Sequence, residues 1–232
     1  MANGVTNPIS LDLVNEMSES LAKITAKARA MILIGGDKFF CIGLDLPNLL
    51  KLDRSAMSGF LKNFNDLTFS LFTLPIPTIC ALSGHAVAGG CVFALTGDYR
   101  IASTEKKKIG LNEIKLGVPV PYIADMMLRQ TVSGPIANQM LYSGEFISFI
   151  HAKDVGLIDE ICLTEEIENL AVEKLSIIAN HPNQAFSAIK ASKVELIKSR
   201  YEKNWEATNR AFLDCWFSEP GQTLLKETSR KF

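Results

Sequence analysis

In Pro77-Thr78-Ile79-Cys80-Ala81-Leu82-Ser83-Gly84-His85-Ala86-Val87-Ala88-Gly89-Gly90-Cys91, an apolar strand runs through a glycine turn into a helix. Thr78 to Leu82 reads as the strand, and a short helix is predicted from about Gly89 to Thr96. Glycine lacks a Cβ, so the turn lets another backbone or a ligand come close. The spacing superficially fits a phosphate-binding loop. However, Cys91 and Val92 stand where such a loop needs Lys and Ser or Thr, which argues against nucleotide hydrolysis.

Outward from this stretch, strands and helices alternate. Towards the N-terminus, Ala30 to Ile34 is a continuous apolar run stopped by Gly35-Gly36, as in a strand covered on both faces. Met57, Phe60, Leu61, Phe64, Leu67 and Leu71 follow helical spacing from Ser55 until Pro75 ends the pattern. Ser10 can cap a helix reaching about Ala28, with Asp12 in its first turn. Towards the C-terminus, Asp98 to Ala102 and Gly156 to Leu163 read as strands. Beyond Thr164 the pattern is helical only: Thr164 to Ala179, Asn183 to Lys198, Tyr201 to Phe217 and Glu219 to Arg230. The rhythm predicts a parallel α/β core over residues 1–162, with crossovers on the sheet faces, and a helical region over 163–232. Such a helical lobe is expected to pack on a neighbouring subunit.

Composition narrows the function. The 232 residues are 47% apolar and 21% charged, which fits a globular chain and excludes disorder as its main state. Lys and Arg number 24 against 25 Asp and Glu, so no charge surplus draws the chain to nucleic acid or an anionic membrane. No apolar run approaches the roughly 20 residues of a membrane span, and no secretory leader pattern opens the chain; a soluble protein is expected. Five scattered cysteines without C-x-x-C fit reduced thiols in a cytosol-like compartment. His85, His151 and His181 lack ligand spacing, so no metal is expected. Cys91 beside His85 has no third orienting group, and Ser83-Gly84-His85 lacks the G-x-S-x-G elbow, so neither nucleophile is favoured.

Two further segments remain. Phe40-Cys41-Ile42-Gly43-Leu44-Asp45-Leu46 taken alone is an ordinary glycine turn. Ile109-Gly110-Leu111-Asn112-Glu113-Ile114-Lys115-Leu116-Gly117 carries one carboxylate, which taken alone would be exposed or paired with a lysine. In order and spacing, however, these segments, the Pro77 to Cys91 stretch, Asp98-Tyr99-Arg100-Ile101-Ala102 and Ala152-Lys153-Asp154-Val155-Gly156-Leu157-Ile158-Asp159 together resemble the crotonase, or enoyl-CoA hydratase/isomerase, superfamily. The resemblance covers nearly the whole chain, and the Gly89-Gly90-Cys91 and Gly110-Leu111-Asn112-Glu113 segments look most like its Δ3,Δ2-enoyl-CoA isomerase branch.

The resemblance implies a crotonase-like spiral of ββα units with a C-terminal helical trimerisation region, giving a homotrimer or a dimer of trimers. It implies an acyl-CoA thioester as substrate, with coenzyme A part of the substrate and no separate cofactor. On this sequence, the thioester oxygen would meet the backbone N–H groups of Leu44 and Gly89. Glu113 would be the catalytic base, with Leu111, Ile114 and Leu116 partly desolvating it. Hydratases of the superfamily use a second glutamate where this chain has Val92. Ile42, Gly43, Asp45 and Leu46 would cradle the adenine, Asn112 would touch the acyl chain, and Lys38, Lys51 or a neighbour's lysine would meet the phosphates. The implied function is double-bond isomerisation in fatty-acid β-oxidation, in the cytoplasm or the mitochondrial matrix. Hydration or another acyl-CoA lyase reaction, or non-catalytic binding of an acyl-CoA or a macromolecule, are the alternatives. Relatives usually begin with a β-hairpin, whereas this chain comes almost directly to the Ser10 helix; a sheet edge is expected to lie open there.

Overall fold

The computed structural model describes residues 1–24, 28–104 and 106–230. It opens with β1 (Pro8–Ile9) and α1 (Leu11–Ile24); the Ser10 hydroxyl caps α1 by accepting from Leu13 N at 3.2 Å. The predicted end of this helix, 25–27, lies outside the described residues. Three windings follow, each of two strand levels and a helix. The first is β2 (Met31–Ile34), β3 (Phe39–Cys41), β4 (Gly43–Leu44), α2 (Leu46–Leu49) and α3 (Arg54–Phe72). The second is β5 (Thr78–Leu82), β6 (His85–Val87) and α4 (Gly89–Leu95). The third is β7 (Tyr99–Ser103), β8 (Lys108–Gly110), a 3-10 turn over Glu113–Leu116, α5 (Tyr122–Thr131) and α6 (Gly134–Ser143). Then come β9 (Ile147–Ser148), α7 (Phe149–Asp154), β10 (Glu160–Cys162), α8 (Ile167–Ala179), α9 (Asn183–Trp216) and α10 (Glu219–Ser229).

The leading strands of the windings stack into one parallel sheet, in the order β10-β7-β5-β2. The second strands stack into another, β3-β6-β8-β9, with only β9 antiparallel. Parallel neighbours need a crossover, which the helices supply. This is the crotonase spiral. Strand period 2 explains the unbroken apolar run of β5: Cys80 and Leu82 enter the main core, while Ile79 and Ala81 pack against Ile167, Ala171 and Leu175 of α8. At the open edge, the Met1 ammonium donates to Ile34 O of β2 at 2.6 Å.

Several elements differ from the sequence reading. β6 occupies what reads as turn alone, because a strand of three residues is too short for a periodicity to register. One helix, α9, spans 34 residues where two were predicted; no Gly or Pro between Lys198 and Tyr201 interrupts it. Only Glu160–Cys162 pairs within the predicted Gly156 to Leu163 strand, because Gly156, at φ +82°, still closes the end of α7. The helical region 163–232 shares the main core, which runs continuously from Ile9 to Leu225. Among the described residues, no helix is long and apolar enough to cross a membrane.

Two buried ionic clusters lock the windings together. Arg100, on β7, donates Nε to Leu157 O (2.8 Å) and Nη1 to Gly97 O (2.7 Å), and pairs Nη2 with Asp159 (2.9 Å). Asp98, at the start of the same strand, accepts from Thr78 N (3.0 Å) and from Lys190 Nζ (2.8 Å), which brings α9 against the sheet. Lys190 is 3% exposed, and among the described residues its ammonium has Asp98, Ile76 O and Thr78 Oγ1 in place of water. Lys190→Ala is expected to cost about 3 kcal/mol, the low end for breaking a buried pair, because Thr78 and Lys193 still hold Asp98. Lys193→Ala, at the exposed side of the cluster, is expected to cost under about 1 kcal/mol. Urea unfolding of both variants checks the contrast.

Candidate active site

The site begins where β4 touches the start of α4. Gly43 takes φ +99°, and a Cβ on it would lie 2.8 Å from Ala88 Cβ and 3.1 Å from Gly89 N. A Cβ on Gly90 would lie 2.1 Å from the Cys41 carbonyl oxygen. Only glycine fits this backbone contact. Asp45 N donates to Ile9 O of β1 at 3.1 Å, so strand alternation turns the Leu44 N–H away from β1. Gly89 is the first residue of α4, where an N–H has no intrahelical acceptor. Ala88 holds φ +50°, a conformation that typically costs a non-glycine residue about 1–3 kcal/mol. Its N–H donates to Gly110 O at 2.8 Å, and its carbonyl accepts from Cys91 (2.8 Å) and Val92 (3.1 Å).

Leu44, Gly89, Val92, Asn112 and Glu113 line a cavity of about 340 Å³. Leu61 and Phe64 of α3, Phe212 and Trp216 of α9 and Leu225 of α10 complete a largely apolar wall, with His85 and the exposed Lys108 on its polar part. Among the described residues, Glu113 is the only acidic one lining it. The side chain is 7% exposed, and burial pushes its pKa up to about 7 against the pull of the Glu113 and Asn112 backbone N–H groups. Among the described residues, Oε2 of Glu113, Oδ1 of Asn112 and Nε1 of Trp216 are buried without a hydrogen-bond partner. The 3-10 turn carrying Glu113 ends at Gly117, φ +72°, where α10 packs so closely that a Cβ would sit 3.2 Å from Gly221 Cα.

His85 Nδ1 accepts from Lys108 N at 3.0 Å, which leaves Nε2 to carry the ring proton. Partial burial, followed by Lys107, Lys108 and Lys38, lowers its pKa. Cys91 is fully buried, its thiol pKa raised chiefly by burial, and it does not line the cavity; this excludes a reactive thiolate.

Of the residues read as binding, Ile42, Leu44, Leu46 and Asn112 line the cavity with Gly89 and Glu113. Gly43 and Asp45 stay outside the lining. Gly43 is the contact to Gly89, and Asp45 caps α2 through Asn48 N at 3.4 Å. Lys51 is outside too, bonded to Asn48 at 2.9 Å, whereas Lys38 stands beside His85, its carbonyl accepting from His85 N at 3.1 Å. One expectation about Glu113 is corrected in part: Leu111 is buried and Leu116 lines the cavity, as expected, together with Val92 and Val118, whereas Ile114 is 48% exposed. Sequence reasoning missed Phe212, Trp216, Leu225 and Thr228. The i, i+4 spacing of Phe212 and Trp216 was visible, but the same signal marks any helix packing on a core.

Residues 1–226 match the family model for enoyl-CoA hydratase/isomerase. Among curated relatives, the chain is 29% identical over 207 residues to enoyl-CoA delta isomerase 1, mitochondrial, of Homo sapiens, covering 85% of this chain and 68% of that protein. The Mus musculus protein of the same name is 31% identical over 209 residues, covering 86% and 72%. The crystal structure of human mitochondrial delta3-delta2-enoyl-CoA isomerase superposes with a TM-score of 0.94 at 26% identity, over 99% of this chain and 90% of that one. An enoyl-CoA hydratase/isomerase from Mycobacterium paratuberculosis shares the fold, with a TM-score of 0.86 at 18% identity over 96% and 90%. Spiral, glycine contact and family match agree, and the chain belongs to the enoyl-CoA hydratase/isomerase family of enzymes.

Proposed function

We propose that this chain is a Δ3,Δ2-enoyl-CoA isomerase acting on acyl-CoA esters in fatty-acid oxidation. The observation that carries this reading is the single carboxylate: Glu113 lines the cavity, while Val92 can neither ionise nor hold a water for addition. Glu113 takes a proton from C2 of a 3-enoyl-CoA. The C2–H electron pair forms a C1–C2 double bond as the carbonyl pair moves onto the thioester oxygen, giving a dienolate; when that pair returns to the carbonyl, the C1–C2 pair becomes the C2–C3 double bond and the C3–C4 pair takes the proton back from Glu113 at C4. The thioester oxygen carries charge in between, held by the N–H groups of Leu44 and Gly89; one such donor is typically worth about 2.7 to 4 kcal/mol. Isomerase relatives at about 30% identity support the assignment.

A carboxyl poised at about 7 is half ionised near neutrality, strong enough as a base and still able to hold the proton it moves. In the free enzyme, kcat/KM is expected to rise with pH along a limb centred near 7. Stability has the opposite slope. A group bound more tightly to its proton in the native state contributes fully below its unfolded pKa of about 4.5, and that contribution is lost as pH rises through about 7.

Glu113→Gln separates these effects. It should lower turnover by about 10² to 10⁴-fold. At pH 8 it should also raise stability by on the order of 3 kcal/mol, with little gain at pH 5. A stopped assay with 3-enoyl-CoA and urea unfolding at both pH values check the pair; near wild-type turnover would remove Glu113 as the base. With wild-type protein, conjugation of 3-enoyl-CoA without hydration of 2-enoyl-CoA is expected in a side-by-side spectrophotometric assay, and hydration alone would overturn the isomerase reading.

Assembly into trimers is part of the same proposal. A single chain leaves Val172 and Ile177 of α8 and Ile189 and Leu196 of α9 more than half exposed, apolar surface that a neighbouring subunit would cover. Light scattering is expected to give a trimer or a multiple of it, and a monomer at micromolar concentration would defeat this part.

A further inference from the structure

A second cavity of about 340 Å³ adjoins the first, and Leu61, Val118, Pro121 and Phe212 line both. Where the same residue faces two cavities, the wall is one residue thick. One helical turn beyond that wall, Asn65 follows Leu61 on α3 and Asn209 precedes Phe212 on α9. A turn advances about 5.4 Å, so this polar pair lies just past the wall, in the second cavity. Asn65 Nδ2 donates to Asn209 Oδ1 at 2.9 Å, but Asn65 Oδ1 has no partner among the described residues although the residue is only 2% exposed. A buried acceptor left unpaired carries an uncompensated desolvation penalty. Trp216 Nε1 poses the same problem as a donor in the first cavity. A plain hydrocarbon chain would satisfy neither group.

We infer that the acyl site continues past Leu61 and Phe212 into the second cavity, and that the acyl chain it selects carries a hydroxyl at its distal end, donated to Asn65. This rests on the acyl-CoA reading above and names the substrate within it. The hydroxyl supplies the donor that Asn65 Oδ1 lacks, and Thr208 beside it, whose own hydroxyl donates to Asn204 O at 3.0 Å, retains acceptor capacity for the same group. Leu61 and Phe212 thereby set which chain lengths reach the pair.

The test compares 3-enoyl-CoA esters of increasing chain length, each made with a terminal methyl and with a terminal hydroxyl. With the wild-type enzyme, the hydroxylated ester of one length should be favoured at least tenfold in kcat/KM over its methyl counterpart. Asn65→Leu, which keeps shape and removes the acceptor, should collapse that ratio towards one or below. Should Asn65→Leu fail to fold, Asn209→Leu serves in its place, since it removes the residue that orients the Asn65 amide. Methyl-terminated esters preferred at every length, or a hydroxyl preference unchanged in the variant, would overturn the inference. Calorimetric affinities for the same esters read the preference without catalysis, so loss of the isomerase reading, seen as no turnover of any ester, is told apart from loss of this one.

Discussion

Two backbone segments in direct contact, Cys41 to Leu44 against Ala88 to Gly90, are the constraint on which the rest of this molecule depends. Any side chain at Gly90 would collide with the Cys41 carbonyl, whereas one at Gly89 would first meet the movable end of Ile9, 2.6 Å away. The contact sets the distance between the first and second windings and brings Leu44 and Gly89 to line one cavity. It also holds Ala88 at a positive φ that its neighbours must stabilise. One of those neighbours is Gly110, whose carbonyl receives the Ala88 N–H and which leads within three residues to Glu113. Three chain segments distant in sequence are thus positioned by one steric requirement.

Polar groups in the interior divide into two kinds. Arg100 and Lys190 are buried and are satisfied by the partly buried Asp159 and Asp98, as expected for groups whose role is to hold elements together. The five buried side-chain atoms left without partners among the described residues belong to Asn65, Asn112, Glu113, Tyr201 and Trp216, and all but Tyr201 line one of the two apolar cavities. A structure that pairs its buried ions and leaves its cavity groups unpaired concentrates hydrogen-bonding need where a ligand would sit. That distribution separates a binding space from a packing defect.

The spiral was legible because its signals are local. The apolar runs of β2 and β5, the helical spacing of α3 and the glycines of the turn into α4 each fall where the sequence places them, within a residue or two. The marker segments around Asp98 to Ala102 and Gly156 to Asp159 also acquire a physical reason: they meet through the Arg100–Asp159 pair. The roof of the cavity was not legible. Phe212 and Trp216 reach it from α9 and Leu225 from α10, and nothing in their spacing says whether an apolar helix face covers a site, a core or another subunit. Likewise the cavity around Glu113 is closed by Val92 and by residues of α9 and α10, which are distant in sequence, so the exposed Ile114 beside it was a misleading guide.

The roof also determines the chemistry. Without α9 and α10, Leu61, Phe64 and Glu113 would face water, and the burial that raises the Glu113 pKa would disappear. The Glu113 carboxyl is therefore tuned by helices far from it in sequence. Holding them closed costs the native state the free energy of a buried carboxylate, so they must be anchored elsewhere. Lys190 does this for α9 through Asp98, one helical segment away from the cavity, and Gly117 does it for α10 by allowing Gly221 within contact of the turn that carries Glu113. Anchors and carboxyl are thus linked through the two helices, and loosening either anchor would admit water to the cavity and lower the pKa of Glu113 before it unfolded the chain.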